Sequence, residues 1–154
     1  MKKVMFICST GGHLNECLQL KPLFNKYNCL LVTEKDVTSK ALKLDIPIKF
    51  LAFGTRKHLL RYLFIFSWNI LTSLVYFLQF QPDVIVTTGA HTSVPMVYIG
   101  HFFKKKILFI ESIARVSSTS MTGRLIERKV DKIIVQWEEM LSMYENSEYY
   151  GQLL

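Results

Sequence analysis

The stretch DVIVTTGAH, residues 83–91, ends an apolar run in a Thr-Gly-small-His turn, and KVMFICSTGGH, residues 3–13, ends another in nearly the same way. Short runs that are apolar at almost every position, rather than at alternate ones, read as strands buried on both faces. Working outward from these two, four more runs of the same kind stand out: NCLLVTE (28–34), IKFLAF (48–53), KILFIE (106–111) and DKIIVQ (131–136). Most of the segments between them, 13–27, 36–44, 56–81, 92–103 and 120–130, have helical spacing or length, with Pro22 and Pro95 expected to break, kink or restart two of them. Strand, helix and strand alternate in two halves joined by a crossover. That pattern predicts an α/β fold, a doubly wound parallel sheet of Rossmann-like type.

In the usual strand order of such sheets, 3-2-1-4-5-6, strands 1 and 4 are neighbours whose connections leave in opposite directions. The two turns, Ser9-Thr10-Gly11-Gly12-His13 and Thr87-Thr88-Gly89-Ala90-His91, then face each other across the crevice where these sheets bind ligands. Glycine there permits positive φ and close approach of backbone, and the helix N-termini behind the turns favour anions. Phosphate or diphosphate is the expected guest. Neither GxxxxGK[ST] nor GxGxxG occurs, so the ordinary P-loop and dinucleotide readings lose their main support. Tight-turn geometry alone also accounts for Gly11 and Gly12. Glu111, at the next strand end, reads either as a carboxylate that orients a sugar hydroxyl or tunes His13 or His91, or as a cap or ion-pair partner of Arg115. Arg115 reads as a phosphate ligand or a solvated cation.

The 154 residues suit one domain and one core. With 19 Lys and Arg against 12 Asp and Glu, the net charge of +7 favours anionic partners: nucleic acid, anionic lipid or phosphorylated ligands. Cys8, Cys17 and Cys29 are odd in number and lack CxxC spacing, which suggests neither a disulfide framework nor a zinc site and fits a reducing compartment. No metal site is expected. The basic N-terminus precedes an apolar run too short for a signal peptide, and that run reads as the first strand.

Residues 56–81 set the environment. No charge occurs from Tyr62 through Gln81, and twenty helical residues measure roughly 30 Å, the thickness of a bilayer core. A spanning helix would put three strands on each side of the membrane and prevent the sheet from forming. Asn69, Thr72, Ser73, Tyr76 and Gln79 also make a polar stripe at helical spacing. The segment is therefore expected to be a crossover helix, packed partly on the sheet, with its apolar face in the membrane interface. Phe64, Trp68 and Leu71 would be the apolar contacts. Arg56, Lys57 and Arg61 would be a basic collar worth about 1 kcal/mol per cation near anionic lipid. A plain helix covered by protein is the alternative.

The loop STGGH (9–13), the block QPDVIVTTGAHTSVP (81–95) and the run FIESIARVSSTSMTGRLIERKVDKIIVQWEE (109–139) together resemble the acceptor-side subunit of two-chain GT-B glycosyltransferases. That family includes the membrane-recruiting subunit of the dolichol-linked N-acetylglucosaminyltransferase and bacterial capsule or exopolysaccharide proteins. The likeness covers nearly the whole chain. It extends to the N-terminal half of the peptidoglycan lipid-intermediate N-acetylglucosaminyltransferase.

The resemblance implies a single acceptor-binding GT-B half domain over 1–154. It implies that Thr10, Gly11, Gly12 and His13 form the acceptor loop at a lipid-linked diphosphate, with Gly89 and Ser93 in the second loop and Glu111 at the acidic position. His91 stands where the peptidoglycan enzyme has an aromatic residue, and Cys8 and Ser9 replace that enzyme's first glycine pair. It further implies a heterodimer whose donor-binding glycosyltransferase partner takes a UDP-sugar, with no cofactor on this chain. The acceptor would be a polyprenyl-diphosphate-linked glycan, and the setting an anionic membrane surface at the cytoplasmic face of a bacterial plasma membrane; nucleic acid is not an expected partner. The eukaryotic subunits open with a transmembrane anchor, and the resemblance leaves 56–81 as the membrane contact here. Residues 137–154, with Trp137 as a contact, would lead toward the partner; a disordered or simply packed tail is the alternative.

Catalysis would be an inverting transfer, with His13 as base or as a diphosphate-orienting group and Glu111 as the second catalytic candidate. An autonomous nucleotide-binding enzyme and a nonenzymatic membrane scaffold are the alternatives.

Overall fold

The computed structural model describes residues 1–54 and 59–153, apart from the side chain of Leu59. The strands are β1 (Lys3–Cys8), β2 (Asn28–Glu34), β3 (Ile48–Leu51), β4 (Val84–Gly89), β5 (Lys106–Ile110), β6 (Lys132–Val135) and β7 (Ser147–Tyr149). They form one sheet in the order β3-β2-β1-β4-β5-β6-β7, every pair parallel. The predicted doubly wound order is therefore present, with a seventh strand added at the β6 edge.

The helices are α1 (Gly12–Leu18), α2 (Val37–Lys40), α3 (Leu59–Phe80), α4 (Val94–Phe102) and α5 (Met121–Ile126). The two faces of the sheet carry separate cores. On one, Phe77 of α3, Met96 and Val97 of α4 and Ile126 of α5 pack with Met5, Ile7, Val32 and Ile85. On the other, Leu14 and Cys17 of α1 and Phe24 pack with Val4, Phe6, Leu31 and Val86. The connections after β1 and β4 thus do leave to opposite faces, and the crevice opens between them. Both prolines act as expected. α1 stops at Leu18 and a separate 3₁₀ turn holds Pro22, while Pro95 lies in the first turn of α4, where its missing N–H is not needed.

The segment expected to be a crossover helix is one from Leu59 to Phe80, and most of its polar stripe faces the protein, with Thr72 and Tyr76 half-buried and Gln79 exposed. Asn69 and Ser73 are buried. The Asn69 side chain accepts from Ala52 N and donates to Ala52 O, both at 2.9 Å, and Tyr76 Oη donates to Phe50 O at 2.9 Å. These bonds satisfy backbone along the outer edge of β3, which would otherwise be open to another chain. Phe77 packs inward, and an apolar face is left outward: Leu60, Phe64, Trp68 and Leu71 are all more than half exposed. Leu60–Phe80 is long and apolar enough to cross a membrane by length and composition, and little of it is buried in the protein.

The C-terminal segment folds back on its own domain. β7 pairs with β6 through Ile133–Ser147 to Val135–Tyr149, Leu153 N donates to Gln136 Oε1 at 2.8 Å, and Leu153 packs on the α1-side core.

Candidate active site

Where β1 and β4 end, the register between them slips. Ile7 pairs with Thr87 but Cys8 pairs with Gly89, so Thr88 is an extra residue on β4. A bulge of this kind turns the backbone groups of the extra residue off the ladder. Those groups meet His13. The ring Nδ1 lies 2.7 Å from Thr88 O, and Thr88 Oγ1 donates to His13 O at 2.7 Å. A carbonyl only accepts, so Nδ1 carries the hydrogen, and Nε2 is the ring atom left to exchange a proton. The His13 side chain is 31% exposed.

Two glycines let the turns approach. Gly89 has φ +101°, and a Cβ there would lie 3.4 Å from Phe109 and 3.5 Å from the His13 ring. Gly11 has φ +73°, and a Cβ on Gly11 or Gly12 would meet nothing within 4 Å, so the crevice is open in front of α1. No side chain caps that helix at Gly11. Thr10 turns toward Asp36, the N-cap of α2. The Ser39 backbone N–H, opposed by burial and joined by the Ser39 and Thr10 hydroxyls, holds the Asp36 carboxyl below the usual carboxylate range.

The second turn is tied to β2. Glu34 at the end of β2 is buried, and its Oε1 accepts from Thr92 Oγ1 at 2.7 Å and lies 3.6 Å from His91 Nε2. The His91 ring packs against Tyr62 of α3, centroids 5.5 Å apart. The first turns of the exposed apolar helix therefore form part of the crevice rim. Ser93 is fully buried and donates to Ala90 O at 2.7 Å, so its hydroxyl shapes the turn from inside.

Glu111 is buried with both oxygens engaged: Oε1 accepts from Ser112 N at 2.9 Å, and Oε2 from Ser120 N at 3.0 Å and from the Tyr144 hydroxyl. Burial and the Glu111 carboxylate push the Tyr144 phenol well above its usual range, which keeps it a donor. These contacts close the loop between β5 and α5. Arg115 lies exposed on that loop and makes no ion pair with Glu111. Trp137 is half-buried, and its Nε1 donates to Ile113 O at 2.6 Å, within this chain. Arg61, Phe64, Trp68 and Leu71 are exposed, while Arg56 and Lys57 lie outside the described residues.

Two buried carboxylates escaped the sequence reading, Glu34 and Glu16. Glu34 ends its strand as Glu111 does, a signal that was available. Glu16 lies inside α1, where only the i,i+3 spacing from His13 points to it. Among the described residues no group of three or more His, Cys, Asp or Glu is placed to hold a metal. The site is thus a wall of two glycine turns with two partly exposed imidazoles, of which His13 has its Nδ1 bound to Thr88 O and His91 lies beside Glu34. It is suited to accept an anion and take up a proton.

Comparison with known proteins fits this architecture. A family model described as "Oligosaccharide biosynthesis protein Alg14 like" matches residues 4–153. The chain is 39% identical over 93 residues to the UDP-N-acetylglucosamine transferase subunit ALG14 of Candida albicans, covering 56% of this chain and 42% of that protein. It is 27% identical over 176 aligned positions to the subunit of the same name from Debaryomyces hansenii, covering 98% and 76%. The match thus spans under half the length of the first relative and about three quarters of the second. Among solved structures, Acinetobacter baumannii MurG aligns with a TM-score of 0.78 at 16% identity, over 97% of this chain and 45% of that one. The UDP-N-acetylglucosamine 2-epimerase of Rickettsia bellii aligns at 0.73 and 15%, over 99% and 45%. At these identities the likeness is one of fold, that of one half of a GT-B architecture. Because the family match runs from β1 past β7, and so across every wall of the crevice, the chain belongs to the Alg14 family of oligosaccharide-biosynthesis proteins.

Proposed function

We propose that this chain is the acceptor-binding, membrane-associated subunit of a two-chain glycosyltransferase. The single observation that carries the proposal is the placement of α3. Its outward face is apolar, and its first turns pack through Tyr62 against His91 at the crevice rim. A helix lying in the bilayer interface by that face sets the crevice at headgroup level, where a lipid-linked diphosphate would present itself. Burying side chains such as Phe64, Trp68 and Leu71 contributes about 1.5–3 kcal/mol each. The end of α4 extends the same surface: Phe102 and Phe103 are exposed beside His101, Lys104, Lys105, Lys106, Arg128 and Lys129, cations suited to anionic lipid.

The site and the relatives' names support the following chemistry. The acceptor is a polyprenyl-diphosphate-linked glycan, its diphosphate lying against Gly11 and Gly12, while Gly89 is buried behind the His13 ring and shapes the turn. His13 Nε2 takes the proton of the acceptor hydroxyl as that oxygen displaces the nucleotide from the donor's anomeric carbon, with inversion. The donor, a UDP-sugar with UDP-N-acetylglucosamine as the first to test, is held by a partner chain that supplies the other GT-B half. The resemblance to bacterial capsule and exopolysaccharide proteins supports a polymer precursor as acceptor at the cytoplasmic face of a bacterial plasma membrane.

The test is transfer of labelled N-acetylglucosamine from its UDP donor to polyprenyl-diphosphate-linked N-acetylglucosamine in vesicles. This chain is supplied alone, with a donor-half protein, and as His13→Gln with that protein. Transfer that needs both chains and falls at least a hundredfold in His13→Gln is expected. Transfer by this chain alone would overturn the two-chain assignment, and full transfer by His13→Gln would favour a scaffold without catalytic residues.

A further inference from the structure

Glu16 stands one helical turn after His13 and divides its carboxylate between two tasks. Its Oε1 accepts from Ser112 Oγ and from Ile113 N, both at 2.9 Å, and so fixes the loop that follows β5 to α1. Its Oε2 is buried, accepts no hydrogen bond among the described residues, and lies 4.0 Å from His13 Nδ1. Holding the loop needs one oxygen, which a glutamine would supply without burying a charge. Leaving a carboxylate oxygen buried with no donor is unfavourable, so the charge calls for a reason of its own.

The ring beside it provides that reason. The Nδ1 hydrogen of His13 is committed to Thr88 O, so a proton arriving at the ring must arrive at Nε2 and leave the whole imidazole positively charged. Glu16 Oε2, buried and 4.0 Å from Nδ1, stands beside that charge on the same helix at i,i+3.

We propose that Glu16 is a positioning residue for proton transfer at His13, whose carboxylate compensates the imidazolium formed during the reaction. The proposal rests on the reading of His13 as the base. In the step, the acceptor O–H bond breaks as its oxygen bonds to the anomeric carbon of the nucleotide sugar. The proton moves to His13 Nε2, and the bond to the nucleotide diphosphate breaks, its electron pair leaving with the nucleotide. Glu16 neither gains nor loses a proton. It lowers the energy of a charge present in the transition state and absent from the ground state, the kind of interaction that raises kcat rather than affinity.

Glu16→Gln separates this role from loop anchoring, because the amide oxygen can still accept from Ser112 and Ile113. In the two-chain transfer assay, Glu16→Gln is expected to lower kcat about ten- to hundredfold with KM for the lipid acceptor within about twofold and an unchanged thermal midpoint. Glu16→Ala is expected to lose the same kcat and also to unfold at lower temperature. In a His13→Gln background, Glu16→Gln is expected to add nothing, since the two act as a unit. A second readout needs neither partner nor sugar. Carbethoxylation of His13 by diethylpyrocarbonate above about pH 8.5, where imidazole reactivity follows nucleophilicity rather than the unprotonated fraction, followed by mass spectrometry on the full chain, is expected to slow severalfold in Glu16→Gln while His101 reacts as before. Wild-type kcat and wild-type His13 reactivity in Glu16→Gln would overturn the proposal while leaving His13 as base. Undiminished turnover in His13→Gln would instead remove the reading on which it rests.

Discussion

Thr88 and His13 hold each other twice: the ring Nδ1 donates to the Thr88 carbonyl at 2.7 Å, and the Thr88 hydroxyl returns a bond to the His13 carbonyl at 2.7 Å. The contact joins two turns 75 residues apart in the chain. It also decides which ring nitrogen faces the crevice. Thr88→Val keeps the shape of the buried side chain and removes the returned bond. It is expected to destabilise the fold by about 1–2 kcal/mol in urea unfolding. Transfer activity is expected to fall further than stability, since the ring loses part of its support.

Glu111 and Tyr144 form the second relationship that a substitution can test. Tyr144→Phe leaves Glu111 Oε2 with Ser120 N as its remaining donor in a buried site. A loss of about 1–3 kcal/mol is expected. Gly123→Ala is expected to be comparably damaging, because its Cβ would fall 1.9 Å from the Tyr144 hydroxyl and 3.0 Å from Glu111 Oε2. Denaturation midpoints of the two variants, compared with their double mutant, check that both act on the same contact.

The outward face of α3 separates membrane binding from folding. Replacing Phe64, Trp68 and Leu71 together by Ser is expected to leave the thermal midpoint nearly unchanged, since all three are exposed. Recovery with floated anionic vesicles is expected to fall at least tenfold. Asn69→Ala should do the reverse. It removes both bonds to Ala52 and is expected to cost about 1–3 kcal/mol of stability while the folded fraction still floats.

Asp36 gives a pH signature. Its carboxyl is held below the usual range by Ser39 and Thr10, so its folded pKa lies below the unfolded value near 3.9. A depressed folded pKa contributes stability that is fully present above the unfolded pKa and is lost as pH falls through the folded one. Asp36→Ala is therefore expected to cost about 1 kcal/mol from pH 5 to 8. The gap between variant and wild type should narrow below about pH 4, as urea midpoints across that range would show.

Much of this architecture was legible because burial on both faces writes itself into sequence. The six apolar runs named six strands, and two similar turns located the switch point. β7 was not legible: Ser-Glu-Tyr at a sheet edge is half-exposed, so burial leaves no apolar run there. The polar stripe of α3 was visible as a stripe, but the bonds that Asn69 and Tyr76 make depend on the open edge of β3, which only the assembled sheet reveals. In the site, glycine and histidine types marked the turns. The partners that fix them, the bulged Thr88, Glu16 and Glu34, act through contacts between distant segments. Glu111 stood out because it ends an apolar strand, and the fold engages its oxygens with Ser112, Ser120 and Tyr144.

The central claim is that the crevice takes the lipid-linked diphosphate rather than the nucleotide sugar. Calorimetric titration of this chain with a short soluble polyprenyl diphosphate, and separately with UDP-N-acetylglucosamine, tests it most directly. Saturable binding of the diphosphate, weakened about tenfold or more (at least 1.4 kcal/mol) by Gly12→Asp, is expected, with no saturable binding of the nucleotide sugar. Tight binding of UDP-N-acetylglucosamine by this chain alone, with no binding of the polyprenyl diphosphate, would contradict it.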